Sequence, residues 1–176
     1  MSEVTLAQPS GASDMADVRT LCWAYRDFLL NHTEVDRQIT EIFYPVDKYQ
    51  TLMDRLEHVH ARPGGVILLA RDANGVAVGC GMAHELEPGT SEIKRVFVSD
   101  AARGKGVARA LCRALIEQAR VDGFARVVLD TSKSLTAAQT LYSKLGFSQR
   151  GPYQPIPDDV LPELVFYEFD LKQEQP

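Results

Sequence analysis

Residues 98–108 read Val98-Ser99-Asp100-Ala101-Ala102-Arg103-Gly104-Lys105-Gly106-Val107-Ala108. They carry the chain from an apolar run through a glycine loop into a helical repeat. Glycines at 104 and 106 permit backbone angles that turn successive N–H groups toward one point. The helix opening behind them adds unpaired N–H groups and the positive end of its dipole. Arg103 and Lys105 add charge. The segment is a candidate phosphate cradle, the plainer alternative being a tight turn. Two nucleotide loops are excluded by residue. A P-loop needs Ser or Thr after its Gly-Lys, where Gly106 stands. A dinucleotide fingerprint starting at Gly104 needs a third glycine where Arg109 stands.

Working outward, Ser91–Val98 reads as the strand entering the loop. Gly106–Val121 reads as the helix leaving it, with Ala108, Leu111, Leu115 and Ala119 on one face and Arg109, Arg113 and Glu117 on another. Gly123 ends that helix. Arg126–Asp130 is a short apolar strand of the buried kind. Leu135–Leu145 is helical, with Gly146 placed as a C-terminal cap. Phe147–Arg150 and Glu163–Leu171 supply the last strands. Upstream, the pattern predicts a strand at Val4–Leu6 and a helix from Ser13 or Asp14 to about Asn31. A second helix is expected over Val46–His60, and a hairpin over Val66–Arg71 and Val76–Leu86, turning at Asp72–Gly75. The order β-α-α-β-β-β-α-β-α-β-β predicts a mixed α/β sheet.

The 176 residues suit one domain, expected over 1–172, with a frayed polar tail at 173–176. At 45% hydrophobic and 24% charged, the chain can bury a core. Its strongest apolar run, Val66–Ala70, is far short of the ~18 residues of a membrane span, and the N-terminus does not read as a signal peptide. No membrane partner is expected. Cys22, Cys80 and Cys112 are odd in number and widely spaced, so the expectation is reduced thiols in a cytoplasmic protein. The net charge of −5 argues against nucleic acid as a partner. Charge is unevenly spread, however. Seven basic residues face two acidic ones between Lys94 and Arg120, a local basic island that suits an anion site.

The loop's Arg103-Gly104-Lys105-Gly106-Val107-Ala108 resembles the (Q/R)-x-x-G-x-(G/A) signature of the GNAT superfamily of acyl-CoA-dependent N-acetyltransferases. Glu92-Ile93-Lys94-Arg95-Val96-Phe97-Val98 is similar to the family's preceding strand. Ala138-Gln139-Thr140-Leu141-Tyr142-Ser143-Lys144-Leu145-Gly146-Phe147 is similar to its later A-x-x-L-Y-x-x-L-G-F segment. Together these cover about residues 91–148. The resemblance implies an α/β (α+β) fold with a mixed, mostly antiparallel central sheet, flanked by helices and splayed at the acyl-CoA site. It implies acetyl-CoA as acyl donor and no metal. The pyrophosphate would rest on the amides of Arg103, Gly104, Lys105, Gly106, Val107 and Ala108. The pantetheine would run along Val96, Phe97 and Val98. Many members carry Asn seven positions before the tyrosine. Leu135 stands there, so no asparagine role carries over, and Ser132, Ser134 or Thr136 are candidate caps for the helix.

By the same resemblance Tyr142 is the candidate general acid toward the departing thiolate, and a phenol with a pKa near ~10 arrives with its proton. Glu92 is the candidate base for the acceptor ammonium, with a water chain as the alternative. The four histidines form no metal constellation and are expected at the surface. Cys112, without a His partner, is expected to pack, so direct attack in a ternary complex is favoured over an acyl-enzyme. Specificity is expected in residues 23–34 and in the loop 151–157, where Tyr153 is placed to cover the acceptor. Arg26 and Arg150 are candidates for holding an acceptor carboxylate. The acidic balance of residues 1–60 and 151–176 favours a cationic small amine. A protein N-terminus or lysine as acceptor, an inert acyl-CoA sensor, and a homodimer all stay open.

Overall fold

In the computed structural model, residues 4–172 are described; the expected tail at 173–176 lies outside them. Strands β1 (Thr5–Ala7), β2 (Val66–Arg71), β3 (Ala77–Glu87), β4 (Thr90–Val98), β5 (Arg126–Ser132), β6 (Ser148–Arg150) and β7 (Leu164–Asp170) form one sheet. Their order is β1-β2-β3-β4-β5-β7-β6. Every pairing is antiparallel except β4 with β5. Helices α1 (Gly11–His32), α2 (Glu34–Phe43), α3 (Val46–Asp54), α4 (Leu56–Val59), α5 (Val107–Val121) and α6 (Thr136–Leu145) flank it. The expected mixed, mostly antiparallel sheet is the one observed.

Strand alternation divides the core into two layers. Val66, Leu68 and Ala70 of β2 join Leu111, Leu115 and Ala119 of α5 on one face. Ile67 and Leu69 join Val18, Leu21 and Cys22 of α1 and Tyr49 and Met53 of α3 on the other. A strand covered on both faces is apolar at consecutive positions, which explains the unbroken Val66–Ala70 run.

Three local expectations are corrected. Residues 34–43 form a helix that was not expected, although Val35, Ile39, Ile42 and Phe43 recur at helical spacing. Its start is marked by Thr33, whose hydroxyl accepts from the Asp36 N–H at 3.0 Å. The helix expected over Val46–His60 is interrupted at Arg55, giving α3 and α4. None of Ser132, Ser134 or Thr136 caps α6. Leu135 holds that position without a side-chain bond, and its N–H goes to the Ser132 carbonyl at 3.1 Å.

The site-forming feature is a divergence inside the sheet. β4 and β5 pair only at Thr90↔Arg126, Ser91↔Val127 and Glu92↔Val128, and beyond Glu92 they part. Register with β3 also slips, from Met82↔Lys94 to Cys80↔Phe97, leaving a bulge at Arg95 and Val96. Arg95 sits there at φ 51°, a left-handed backbone angle that a non-glycine residue adopts at a cost. Its side chain is buried and anchored. Nη2 donates to His60 Nε2 at 2.8 Å and Nε approaches Met82 Sδ at 3.2 Å. His60 then uses its Nδ1–H on the Ala83 carbonyl at 2.8 Å. Burial, reinforced by the neighbouring Arg95 charge, pushes the His60 pKa down to about 3. The surface placement expected for this histidine is therefore wrong: it is 3% exposed and serves as a neutral acceptor beneath the bulge.

Candidate active site

The glycine loop lies where β4 gives way to α5. Gly104 and Gly106 adopt φ 75° and 80°, and a Cβ at either would meet nothing within 4 Å. The space in front of them is open. Ala110 N–H bonds the Gly106 carbonyl at 3.0 Å, so the N–H groups of Val107, Ala108 and Arg109 have no intrahelical partner. The basic side chains of the loop are tied back. Arg103 Nε donates to the Val98 carbonyl at 3.2 Å while its guanidinium lies 4.7 Å from the Phe28 ring centroid. Lys105 Nζ donates to the Ala101 carbonyl at 2.8 Å. Anion binding here falls chiefly to the backbone.

From the loop a groove of about 350 Å³ follows the splay, with Val96, Phe97 and Val98 on one side and Ala138, Leu141 and Tyr142 on the other. At its inner end a smaller cleft of about 50 Å³ lies between residues 93–96 of β4 and 129–131 of β5, and Tyr142 lines both spaces. A third cavity of about 100 Å³ continues past Lys94 and Asp130 under α2. Tyr25 of α1 lines all three. The groove, the cleft and the third cavity thus lie side by side along the sheet's divergence, with Tyr142 between the first two. Burial pushes the Tyr142 phenol well above its usual pKa, so it keeps its proton at neutral pH.

Two carboxylates lie near the parting of β4 and β5 in different environments, Asp130 lining the cleft and Glu92 buried beside it. Glu92 is 1% exposed and fully engaged. Its Oε2 is 2.7 Å from His84 Nε2, and its Oε1 accepts from Lys94 Nζ and the Tyr153 hydroxyl, each at 2.9 Å. Burial works against its charge, but the His84 hydrogen bond and Lys94 prevail, bringing the pKa down to about 2. Asp130 lines both the cleft and the pocket and is the less occupied of the two, with Gln154 Nε2 at a long 3.4 Å. Burial, followed by the Glu92 charge, raises its pKa, although Lys94 opposes this. Asp130 escaped the sequence reading because a strand-end Asp after three apolar residues carries no motif. Only its position opposite the bulge marks it.

The other candidates fall into place by contact. Tyr153 lies over Glu92 and packs edge-on against Phe166. Arg26 and Arg150 are committed elsewhere: Arg26 Nε donates to the Tyr44 carbonyl at 2.9 Å, and Arg150 pairs with Glu168. Cys112 is buried in the core beneath the groove, with its pKa pushed up to about 12 by burial, which makes it an inert packing thiol.

The state of Glu92 has a consequence for stability. Its folded pKa of about 2 lies below the ordinary 4.5, so the stabilisation is complete above 4.5 and is lost as pH falls toward 2. Glu92→Gln should lower stability at neutral pH by roughly 3 kcal/mol, because His84, Lys94 and Tyr153 all lose the same charged partner. Urea denaturation of both proteins should show that gap closing as pH falls through this window. A constant gap would mean that the lost contacts are not electrostatic.

Comparison with known proteins agrees with this geometry. The family model described as "Acetyltransferase (GNAT) family" matches residues 29–147. A protein of Azospirillum brasilense named IAA acetyltransferase is 36% identical over 129 residues, covering 73% of this chain and 81% of its own. Among solved structures, a GNAT-family acetyltransferase of Staphylococcus aureus Mu50 superposes with a TM-score of 0.74 at 20% identity, covering 97% of this chain and 100% of its own. The structure of yncA from Salmonella typhimurium with its cofactor acetyl-CoA has a TM-score of 0.68 at 22% identity, covering 99% of this chain and 98% of its own. The chain belongs to the GNAT family and is an acetyltransferase.

Proposed function

We propose that this protein transfers acetyl from acetyl-CoA to a compact primary amine by direct attack in a ternary complex. The observation that carries the reading is the succession of glycine loop, splayed groove, cleft and small pocket, which share Tyr25 as a lining residue, with Tyr142 between the groove and the cleft. The residues fit the donor. Open space in front of Gly104 and Gly106, with free helix N–H groups beside it, suits a pyrophosphate. The main-chain groups of β4 that β5 no longer pairs suit an extended pantetheine. The Salmonella neighbour, solved with acetyl-CoA, supports the same assignment. What acetyl-CoA supplies is an activated thioester carbonyl.

In this reading the amine nitrogen forms the new C–N bond as the C–S bond breaks. Tyr142 gives its proton to the departing thiolate. The nitrogen becomes acidic as it bonds, and a carboxylate takes its proton. Asp130 suits that task better than Glu92, whose oxygens are occupied and whose pKa is far below neutrality. Glu92 instead fixes Lys94, His84 and Tyr153 around the pocket.

The small volume of the pocket favours a small molecule over a peptide, and the Azospirillum relative's name likewise carries a small molecule. Its charged lining residues are Asp36, Lys94 and Asp130, and Lys94 is already paired with Glu92. That balance favours an ammonium over a dianion.

Gly106→Val should abolish acetyl-CoA binding by isothermal titration in a folded protein, because a side chain would occupy the pyrophosphate's place. Tyr142→Phe should lower kcat by roughly 10–10⁴-fold with acetyl-CoA affinity little changed, the range for losing proton transfer. A free-thiol assay over an amine panel that includes peptides gives the pH dependence. Asp130→Asn should remove the acidic limb of the kcat/KM profile, and Glu92→Gln should lower the rate while leaving the limb. The reverse pattern would make Glu92 the base.

A further inference from the structure

We propose that the hydroxyl of Tyr25 is a second side-chain donor at the reacting carbonyl, hydrogen-bonding the thioester oxygen while Tyr142 serves the sulfur. The proposal rests on the acetyl-CoA reading above and makes Tyr25 a catalytic residue of the same site.

Tyr25 belongs to a stripe of α1 that faces the parting strands. Tyr25, Phe28 and His32 line the groove, and Tyr25 and Leu29 line the cavity under α2. Its ring lies against Phe97 of β4, with centroids 5.8 Å apart and planes tilted by 40°. That contact places the phenol on the β4 side, whereas Tyr142 approaches from α6. The hydroxyl end faces charge, since Asp130 and Lys94 both act on it. It has no hydrogen-bond partner among the described residues and is not a sealed atom, so it opens onto the spaces that Tyr25 lines. An unspent phenol proton in that position is a donor available to a ligand.

The chemistry of the transfer selects the atom it meets. Acetyl transfer needs a proton for sulfur, an acceptor for the proton of nitrogen, and hydrogen bonds for the charge that develops on the carbonyl oxygen. Tyr142 and Asp130 take the first two in the reading above. For the third, the cleft offers three more hydroxyls without a partner among the described residues, on Tyr25, Tyr44 and Thr131. Tyr44 lines the cleft and the cavity but not the groove, which puts it on the acceptor side. Thr131 lines all three spaces as Tyr25 does, but an alkanol is a weaker hydrogen-bond donor than a phenol. Lys94 is held by Glu92 at 2.9 Å. Burial, with Tyr44 and Asp130 adding to it, pushes the Tyr25 pKa above its usual value, so the phenol donates without ionising. As the amine nitrogen bonds the carbonyl carbon, the C=O pair moves onto oxygen and Tyr25 donates to it. When the pair returns and the C–S bond breaks, Tyr25 retains its proton and Tyr142 gives its own to sulfur.

The test reads the carbonyl directly. Wild type, Tyr25→Phe and Thr131→Val are each loaded with acetyl-CoA isotopically labelled at the thioester carbonyl carbon, without acceptor, and the band is followed by infrared difference spectroscopy. Tyr25→Phe should move it to higher wavenumber, as a lost hydrogen bond does, and Thr131→Val should leave it in place. The ring contact with Phe97 survives Tyr25→Phe, so CoA, which lacks the thioester, should bind wild type and this variant alike by isothermal titration. With the fastest amine of the panel, kcat should fall on the order of 10²-fold while the amine KM changes little, the scale of a lost oxyanion donor. An unmoved band, a shift at least as large in Thr131→Val, or an unchanged kcat would overturn the inference. A raised amine KM at that unchanged kcat would make Tyr25 an acceptor contact instead. Binding of acetyl-CoA with an unmoved band sinks this inference and leaves the donor reading standing. No binding of acetyl-CoA by wild type would overturn both. If no amine of the panel is acetylated, the amine reading fails and the band alone decides.

Discussion

The parting of β4 from β5 after Glu92 is the constraint on which the site depends. Adjacent strands normally satisfy one another's N–H and C=O groups, and leaving them unmatched inside a protein is costly. The divergence is held open by features on both sides of the break. On the β3 side, an extra residue in β4 re-aims Val96, and the buried Arg95–His60 contact fixes the strained angle that this requires. On the β5 side, pairing passes to β7 along the whole of Arg126–Ser132, so β5 stays ordered without β4. The groove is therefore built into the scaffold and does not depend on a mobile loop.

From that geometry follows a division of electrostatic labour. At the glycine loop the groups left available are backbone dipoles, because Arg103 and Lys105 are bound to the nearby carbonyls of Val98 and Ala101. Side-chain charges concentrate at the opposite end, where Glu92 and Asp130 lie across the divergence. One is saturated and held low; the other is half-buried with few partners and pushed up. Two like groups with environments that drive their pKa values apart can take different roles at one pH. Lys94, raised in pKa by its acidic surroundings despite burial, keeps both charges in one enclosed space.

How much of this was legible varied with the kind of signal. Helices α5 and α6 and the buried strand between them were readable because their apolar periods and flanking glycines are strong local cues. So was the cradle, since Gly104 and Gly106 have left-handed angles that few other residues tolerate. Helix α2 was missed. Its apolar residues Val35, Ile39, Ile42 and Phe43 recur at helical spacing, and together with the Thr33 cap they mark a helix too short to stand out beside the much longer α1. His60 was misplaced because nothing in its neighbourhood announces a buried Arg thirty-five positions later.

The sequence by itself determined the order of elements from β2 onward, the glycine turn before α5 and the resemblance that points to the family, because each rests on residues close together in the chain. Tertiary structure decided how Glu92 and Asp130 are engaged beside the parting of β4 and β5 and which arginines are already occupied. Those properties arise where β4, β5, α2 and the loop bearing Tyr153 converge from distant parts of the chain. Burial and proton accounting belong to that convergence, and local residue order does not encode them in readable form.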